Sequence, residues 1–441
     1  MTTYWLERAW TGSGPVRPGV LVEVRDGVFT AVTSGPPGDA HRLAGLTVPG
    51  LANCHSHAFH RALRGRTQRE RGTFWTWREQ MYAVASTLTP ETYFELARAT
   101  YREMVSVGIT SVGEFHYLHH GPDGAAYDDP NEMGHALVAA AREAGIRIAL
   151  LDTCYLASAI GSPPEGVQVR FSDGEAESWA ARVEAFGLDQ RGRSDVRVGA
   201  AIHSVRAVPR DQMWPVIGWA GQHGTPLHVH LSEQSAENDA CLEVHGMTPA
   251  ELLEDAGALG PRTTAIHATH LGGPDVNLLG GSGTHACLCP TTERDLGDGI
   301  GPSRRLHDAG SPLTLGSDSH AVVDLFEEMR AVELDERLAT LERGHWSAGE
   351  LLTAATYDGH RSLGFAGTGR IEVGTRADLV TIDTASVRTA GTGADEGTVV
   401  FAAAGEDVVQ VIRDGAMVAT ADDRRAAGAE LDRVVRSLWE D

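Results

Sequence analysis

Three histidines fall within six residues in "VPGLANCHSHAFHRAL", at His55, His57 and His60. Side chains two apart on a strand share a face, so His55 and His57 can reach one cation together. In a chain of 441 residues with 20 histidines, roughly one His-x-His pair arises by chance, so the pair needs partners to mean anything. His230 in "HVHLSE" offers a third imidazole and Asp318 in "GSDSH" a carboxylate. Three neutral imidazoles and one carboxylate suit a single divalent metal ion, Zn²⁺ best, with Fe²⁺ or Mn²⁺ compatible. Glu233, three residues past His230, could carry a proton between water and a leaving group. His267 in "AIHATH" could polarise the water or the electrophile, and Asp318 could assist its deprotonation. Plainer roles compete: core imidazoles satisfied by backbone, and a helix-capping acid at Glu233. His228 shares strand parity with His230, and His270 stands close to His267, so parity alone does not choose among them.

These residues need a frame that brings them together. Eight strand-like runs span the middle of the chain: "LTVPGLANCHSH", "GITSVGEFHY", "IRIALLDTCY", "VRVGAAIHSV", "TPLHVHLSE", "TTAIHATH", "THACLCP" and "SPLTLGSDS". Amphipathic stretches such as "PETYFELARATYREMVSVG" and "EMGHALVAAAREAG" lie between them. This alternation predicts an α/β fold, a (β/α)8 TIM-like barrel, whose chemistry gathers at the C-terminal strand ends. Polar residues stand at those ends: His55 and His57, His116 and Tyr117, His203, His230, His267 and Asp318. Short strands with Asp-Gly turns at 26–27 and 414–415 mark both termini, which predicts a small β-sandwich domain assembled from the two ends of the chain. The expected division is residues 1–47, the barrel at 48–364, and 365–441 with a terminal helix. "GADEG" (393–397) reads as a polar loop, and the Pro/Gly-rich stretch 161–175 as a lid or subunit contact.

Composition removes several function classes. The net charge of −23 argues against nucleic acid. No run of about 18 apolar residues is present, so no membrane span is expected. Five scattered cysteines and a charged N-terminus without an apolar core fit a cytoplasmic enzyme. Cys287 and Cys289 read as buried strand residues. All 37 basic residues are arginine, because the chain contains no lysine. That excludes P-loop, Schiff-base and lysine-carbamate chemistry. An anionic substrate would be repelled by the bulk charge unless a few arginines reversed the field locally.

The motifs "PGLANCHSH", "HVHLSE", "AIHATH" and "GSDSH", in this order, resemble the amidohydrolase superfamily, as does "VPG" paired with "GRIEVGTRADLVTID" near the end. The resemblance covers essentially the whole chain. It implies the barrel with its terminal β-domain and one metal, held by positions matching His55, His57, His230 and Asp318. Glu233 and His267 match the proton-handling residues. Without lysine the carbamate-bridged binuclear type is excluded, while glutamate- or cysteine-bridged pairs stay open. "FWTWREQMY", "EFHYLHH", "IHSVRAV" and "CPTTERDLGDGI" further resemble the formimidoylglutamate deiminases of histidine breakdown. That family's substrate-binding positions carry over to Arg78, Tyr117, His203 and Arg206. His60 stands where the family has glutamine. The resemblance implies a small dicarboxylate amidine substrate, bound by arginine forks, and a homodimer is expected. The rival readings are an aminohydrolase acting on formimino-aspartate or a nucleobase or nucleoside, and a catalytically silent metal-binding scaffold. Trp75 and Trp77 are candidates to wall off water above the site.

Overall fold

The computed structural model describes residues 1–68 and 74–440, apart from the side chains of Phe74 and Trp75. Eight parallel strands form the central sheet: β5 (Leu51–Ser56), β6 (Ile109–His116), β7 (Arg147–Cys154), β8 (Val196–Ile202), β9 (Leu227–Leu231), β10 (Thr263–His267), β11 (His285–Leu288) and β12 (Leu313–Leu315). Each pairs with the next in sequence order. The ring closes where Ser56 bridges Asp318 in parallel. Each of the eight sequence-predicted runs contains one of these strands, and β5, β6 and β7 are buried along their whole length. Strands covered by helices outside and packed side chains inside read as continuous apolar runs for that reason.

Local chemistry sets the helices. Helix α1 covers Phe74–Thr87. Helix α2 (Pro90–Ser106) opens on a capping box between Thr89 and Thr92, with Pro90 in its first turn. Proline loses nothing there, since the first N–H groups of a helix have no intrahelical partner. Helix α3 (Glu132–Ala144) stops at Gly145, whose φ of 79° suits glycine.

The termini build one seven-stranded sheet from β1 (Thr2–Ala9), β2 (Arg17–Arg25), β3 (Val28–Ser34), β4 (His41–Pro49), β13 (Leu379–Ile382), β14 (Val408–Arg413) and β15 (Ala416–Thr420). Its order is β15-β14-β13-β4-β1-β2-β3. It has a core of its own around Leu6, Val22, Phe29, Leu379 and Ile412. The stretch "GADEG" is only half loop: Asp395 caps a short helix, Glu396–Phe401, by accepting from Thr398 N. Strand β4 passes into β5 through Gly50, where a Cβ would lie 2.3 Å from Thr110 Oγ1, so the junction requires glycine.

The two sheets are also joined by charge. Arg147, at the start of β7, pairs with Asp378 and Asp414 of the terminal sheet, with its side chain and that of Asp378 each 1% exposed. Burial alone would raise the Asp378 carboxyl; Arg147 holds it below its ordinary value instead. Arg147→Ala would leave two carboxylates facing each other without a cation, and a loss of about 3–5 kcal/mol is expected by urea denaturation. The Asp378 contribution is full above its unfolded pKa near about 3.9 and disappears as pH falls through the lower folded value. Wild type should therefore lose this contribution only below about pH 4, whereas Arg147→Ala should lack it at every pH.

Candidate metal centre and active site

The C-terminal strand ends bring the predicted donors together. His55 Nε2 lies 3.1 Å from Asp318 Oδ1 and 3.1 Å from His230 Nε2. His57 Nε2 lies 3.3 Å from Asp318 Oδ1, and His267 Nε2 4.0 Å from Asp318 Oδ2. Donor atoms of His55, His230, His267 and Asp318 all fall within 4.8 Å of one another, and those of His57, His60 and Asp318 form an overlapping trio. His57 donates Nδ1–H to Phe115 O at 2.9 Å, which orients the ring so that Nε2 faces the cluster. Burial pushes His55 down to about 3 and His230 well below its usual value, so both rings are neutral. Burial would raise Asp318; His55 and His57 hold it well down as a carboxylate. Neutral imidazole lone pairs crowded against a carboxylate are stable together when a cation sits among them, so the donor set fits a divalent metal.

Backbone strain converges on the same place. Among the described residues nine that are not glycine take positive φ, and Ser232, His267, Ala268, Asp318 and His320 are five of them. Each follows or ends a barrel strand at this mouth. Such conformations cost of order 1–3 kcal/mol apiece and cluster where function requires them.

Two competitors drop out. His228 lies deeper in the barrel, its Nε2 3.3 Å from Ser362 O. The backbone N–H of His270 donates to Ser232 O, and its side chain does not line the cavity.

Glu233 reaches the cluster, with Oε1 3.9 Å from His267 Nε2. Burial raises its carboxyl above the ordinary value. Burial would lower His267, but Glu233, Glu293 and Asp318 around the ring raise it well above normal. Glu293 was not singled out from the sequence. It accepts from Cys289 N at 2.9 Å and stands 3.4 Å from His267 Nδ1, so it orients the ring from behind. Asp298 was missed as well: burial and then Glu233 push it up to about 8, and Gln234 donates to it. Both lie inside the quoted motif "CPTTERDLGDGI", which marked the segment but not the residues.

The cavity above the cluster holds about 630 Å³ of empty space, open mouth included. His60, Arg78, Tyr117, His203 and Arg206 all line it. His60 Nε2 pairs with Tyr117 Oη at 3.1 Å. Arg206 is turned edge-on by Glu237, which accepts from its Nε at 2.8 Å and from Ser232 N at 3.1 Å. Trp77 lines the cavity too, while the side chain of Trp75 lies outside the described residues. Within the stretch 161–175, Gly166–Phe171 forms a 3-10 turn with Gln168, Arg170 and Phe171 buried. Phe171 faces the cavity, so this turn is a packed wall.

Comparison with known proteins agrees with this geometry. The chain matches the sequence description of the amidohydrolase family over residues 46–418. It is 37% identical to a formimidoylglutamate deiminase of Pseudomonas aeruginosa, covering 87% of this chain and 86% of that protein. A 5-methylthioadenosine/S-adenosylhomocysteine deaminase of Natronomonas pharaonis is 28% identical, covering 82% and 79%. The crystal structure of an amidohydrolase from Brucella melitensis superposes with a TM-score of 0.92 at 30% identity, over 99% of this chain and all of that one. The barrel, its terminal sheet and the match across most of the sequence together establish that the chain belongs to the amidohydrolase family.

Proposed function

We propose that the protein is a metal-dependent deiminase that hydrolyses N-formimidoyl-L-glutamate to N-formyl-L-glutamate and ammonia, in histidine degradation. The observation that carries this reading is the meeting of two arginines, Arg78 and Arg206, with the histidine–aspartate cluster in one cavity. In a chain of net charge −23, cationic forks facing a hydrolytic cluster select an anionic substrate. The 37% identity to a protein of that activity supports it. Five free, buried cysteines are in keeping with a reducing, cytoplasmic setting.

His55, His57, His230 and Asp318 would hold one divalent cation, with zinc preferred by three imidazoles and a carboxylate. When bound, that cation supplies Lewis acidity and a more acidic water. The chain's own groups do the rest. Asp318 takes up the proton of the attacking water, and the His267 ring, 4.0 Å away, polarises and orients that water. Glu233, whose carboxyl is raised by burial, delivers a proton to the departing nitrogen. Water oxygen joins the formimidoyl carbon, the C–N bond to the terminal nitrogen breaks, and that nitrogen leaves as ammonia. Glu293 keeps the His267 ring in the orientation this transfer needs. Arg206, held by Glu237, presents its terminal N–H groups to a substrate carboxylate.

The aromatic lining of the same cavity, Trp77, Tyr155 and Phe171, would also stack a nucleobase, which keeps a nucleoside deaminase as the second reading. Ammonia release from formimidoylglutamate, formimidoylaspartate, guanine and adenosine derivatives separates the two. We expect formimidoylglutamate to exceed the others by at least about a hundredfold in kcat/KM, the discrimination available to a site built around charged partners; a nucleoside in first place would reverse the assignment. Glu233→Gln should retain the metal and lose about 10²–10⁴ in kcat, and an unchanged kcat would remove Glu233 from proton transfer. Chelation should abolish turnover and lower the Tm, with both restored by one equivalent of zinc per chain. A requirement for two equivalents would contradict a mononuclear centre.

A further inference from the structure

One wall of the cavity carries a hydrogen-bonded trio that the mechanism above leaves unused. Gln168 lies in the Gly166–Phe171 turn and is 4% exposed. Its Oε1 accepts from Glu165 N at 2.9 Å, which fixes the amide and aims Nε2 the other way. Nε2 donates to Tyr82 Oη and to Tyr155 Oη, each at 2.9 Å. A phenol oxygen that accepts from an amide still has its own O–H to give. If one hydroxyl donates to the other, one O–H still remains, and among the described residues no carbonyl or carboxylate accepts it. Tyr82 and Tyr155 both line the cavity with Arg78 and Arg206. The guanidinium of Arg78 lies 5.6 Å over the Tyr82 ring.

The trio is also set back from the reacting end. The His203 ring lies 5.0 Å from that of His230, and Tyr155 stands 4.6 Å beyond His203. Phe171 packs against both phenol rings, at 5.4 Å and 6.3 Å between centroids. A spare donor in the same cavity as two arginines, one ring out from the metal cluster, matches an acceptor-only anion at the far end of an elongated substrate.

We propose that Tyr155 and Tyr82, set by Gln168, form a hydroxyl donor pair that reads the substrate carboxylate remote from the formimidoyl group. This rests on the deiminase reading and adds the specificity-determining residues for that carboxylate. Gln168 acts through the phenols and is a positioning residue. Its amide spends both N–H groups on the two oxygens, so the remaining O–H is directed at the ligand and not back into the wall.

Steady-state kinetics on formimidoylglutamate, and on the analogue lacking the side-chain carboxylate, tests this together with calorimetric titration of glutarate. Tyr155→Phe keeps the ring and its packing. It should raise KM for formimidoylglutamate about tenfold or more, the loss expected for a hydrogen bond to a charged group, with kcat much less affected. The same variant should match wild type on the truncated analogue. Gln168→Glu offers the phenols a carboxylate that takes their hydrogens, so it should weaken binding at least as far. A Tyr155→Phe enzyme with unchanged KM, or with equal loss on the truncated analogue, would overturn the assignment. Absence of turnover in wild type would remove the deiminase reading alone. In that event a tenfold loss of glutarate affinity in Tyr155→Phe would still support the anion subsite, and equal or absent glutarate binding in both proteins would refute it.

Discussion

The barrel is closed by a handful of hydrogen bonds between its first and eighth strands, and the candidate site depends on them. His55 O accepts from both Ser317 N and Asp318 N at 3.0 Å. Asn53 binds Ser317 reciprocally, donating to Oγ at 2.7 Å and accepting from the backbone N–H at 2.9 Å. The approach is so close that a Cβ on Gly316 would stand 2.7 Å from His55 Cβ and 2.9 Å from Cys289 Sγ. The same contact that seals the ring therefore sets Asp318 beside His55 and His57. Asp318 reaches them at a φ of 36°, a conformation the closure over-determines. Fold closure and donor geometry are one constraint.

The electrostatics follow from burying this closure point. Glu233, Glu293, Asp298 and Asp318 crowd one side of the mouth, all with little exposure. Burial first, and their mutual repulsion after it, push Asp298 up to about 8 and raise Glu233. Neutral imidazoles do not offset carboxylate charge. Positive charge must come from His267, from the arginines across the cavity, and from a cation among the donors. In a chain without lysine the permanently charged side chains available are guanidinium forks, which are bulky and need steering. Glu237 steers Arg206 in this way.

Much of this was legible in the sequence because it is local. Strand alternation with helices, His-x-His parity and polar residues at strand ends each depend on neighbours a few positions apart. Parity could not separate His228 from His230, since both point inward; depth along β9 decides, and depth is a property of the assembled barrel. Glu293, Glu237 and Gln168 were invisible for a related reason. Each acts on a side chain brought to it by tertiary packing, and their residue types are unremarkable at those positions. The terminal sheet shows the same boundary: its β-rich ends were readable, but the parallel pairing of β1 with β4 joins segments whose register no turn fixes.

The wall that carries Arg78 and Tyr82 is the element least determined by local sequence. Helix α1 is held against the barrel by Arg170, itself fully buried, which donates to Leu88 O at 2.7 Å, to Ala85 O, and to His120 O at 2.9 Å. Ala85 lies in the last turn of α1 and Leu88 just beyond it, where helix carbonyls lack partners and a cation is favoured. One residue on the Gly166–Phe171 turn thus docks the helix, while Gln168 on the same turn joins its phenol to the one at the end of β7. Relatives named for a formimidoyl amino acid and for a nucleoside align over most of the same chain, so the shared barrel alone does not separate such substrates. This wall is set by long-range packing, whereas the ring beneath it is set by the hydrogen bonds that close the first strand on the eighth.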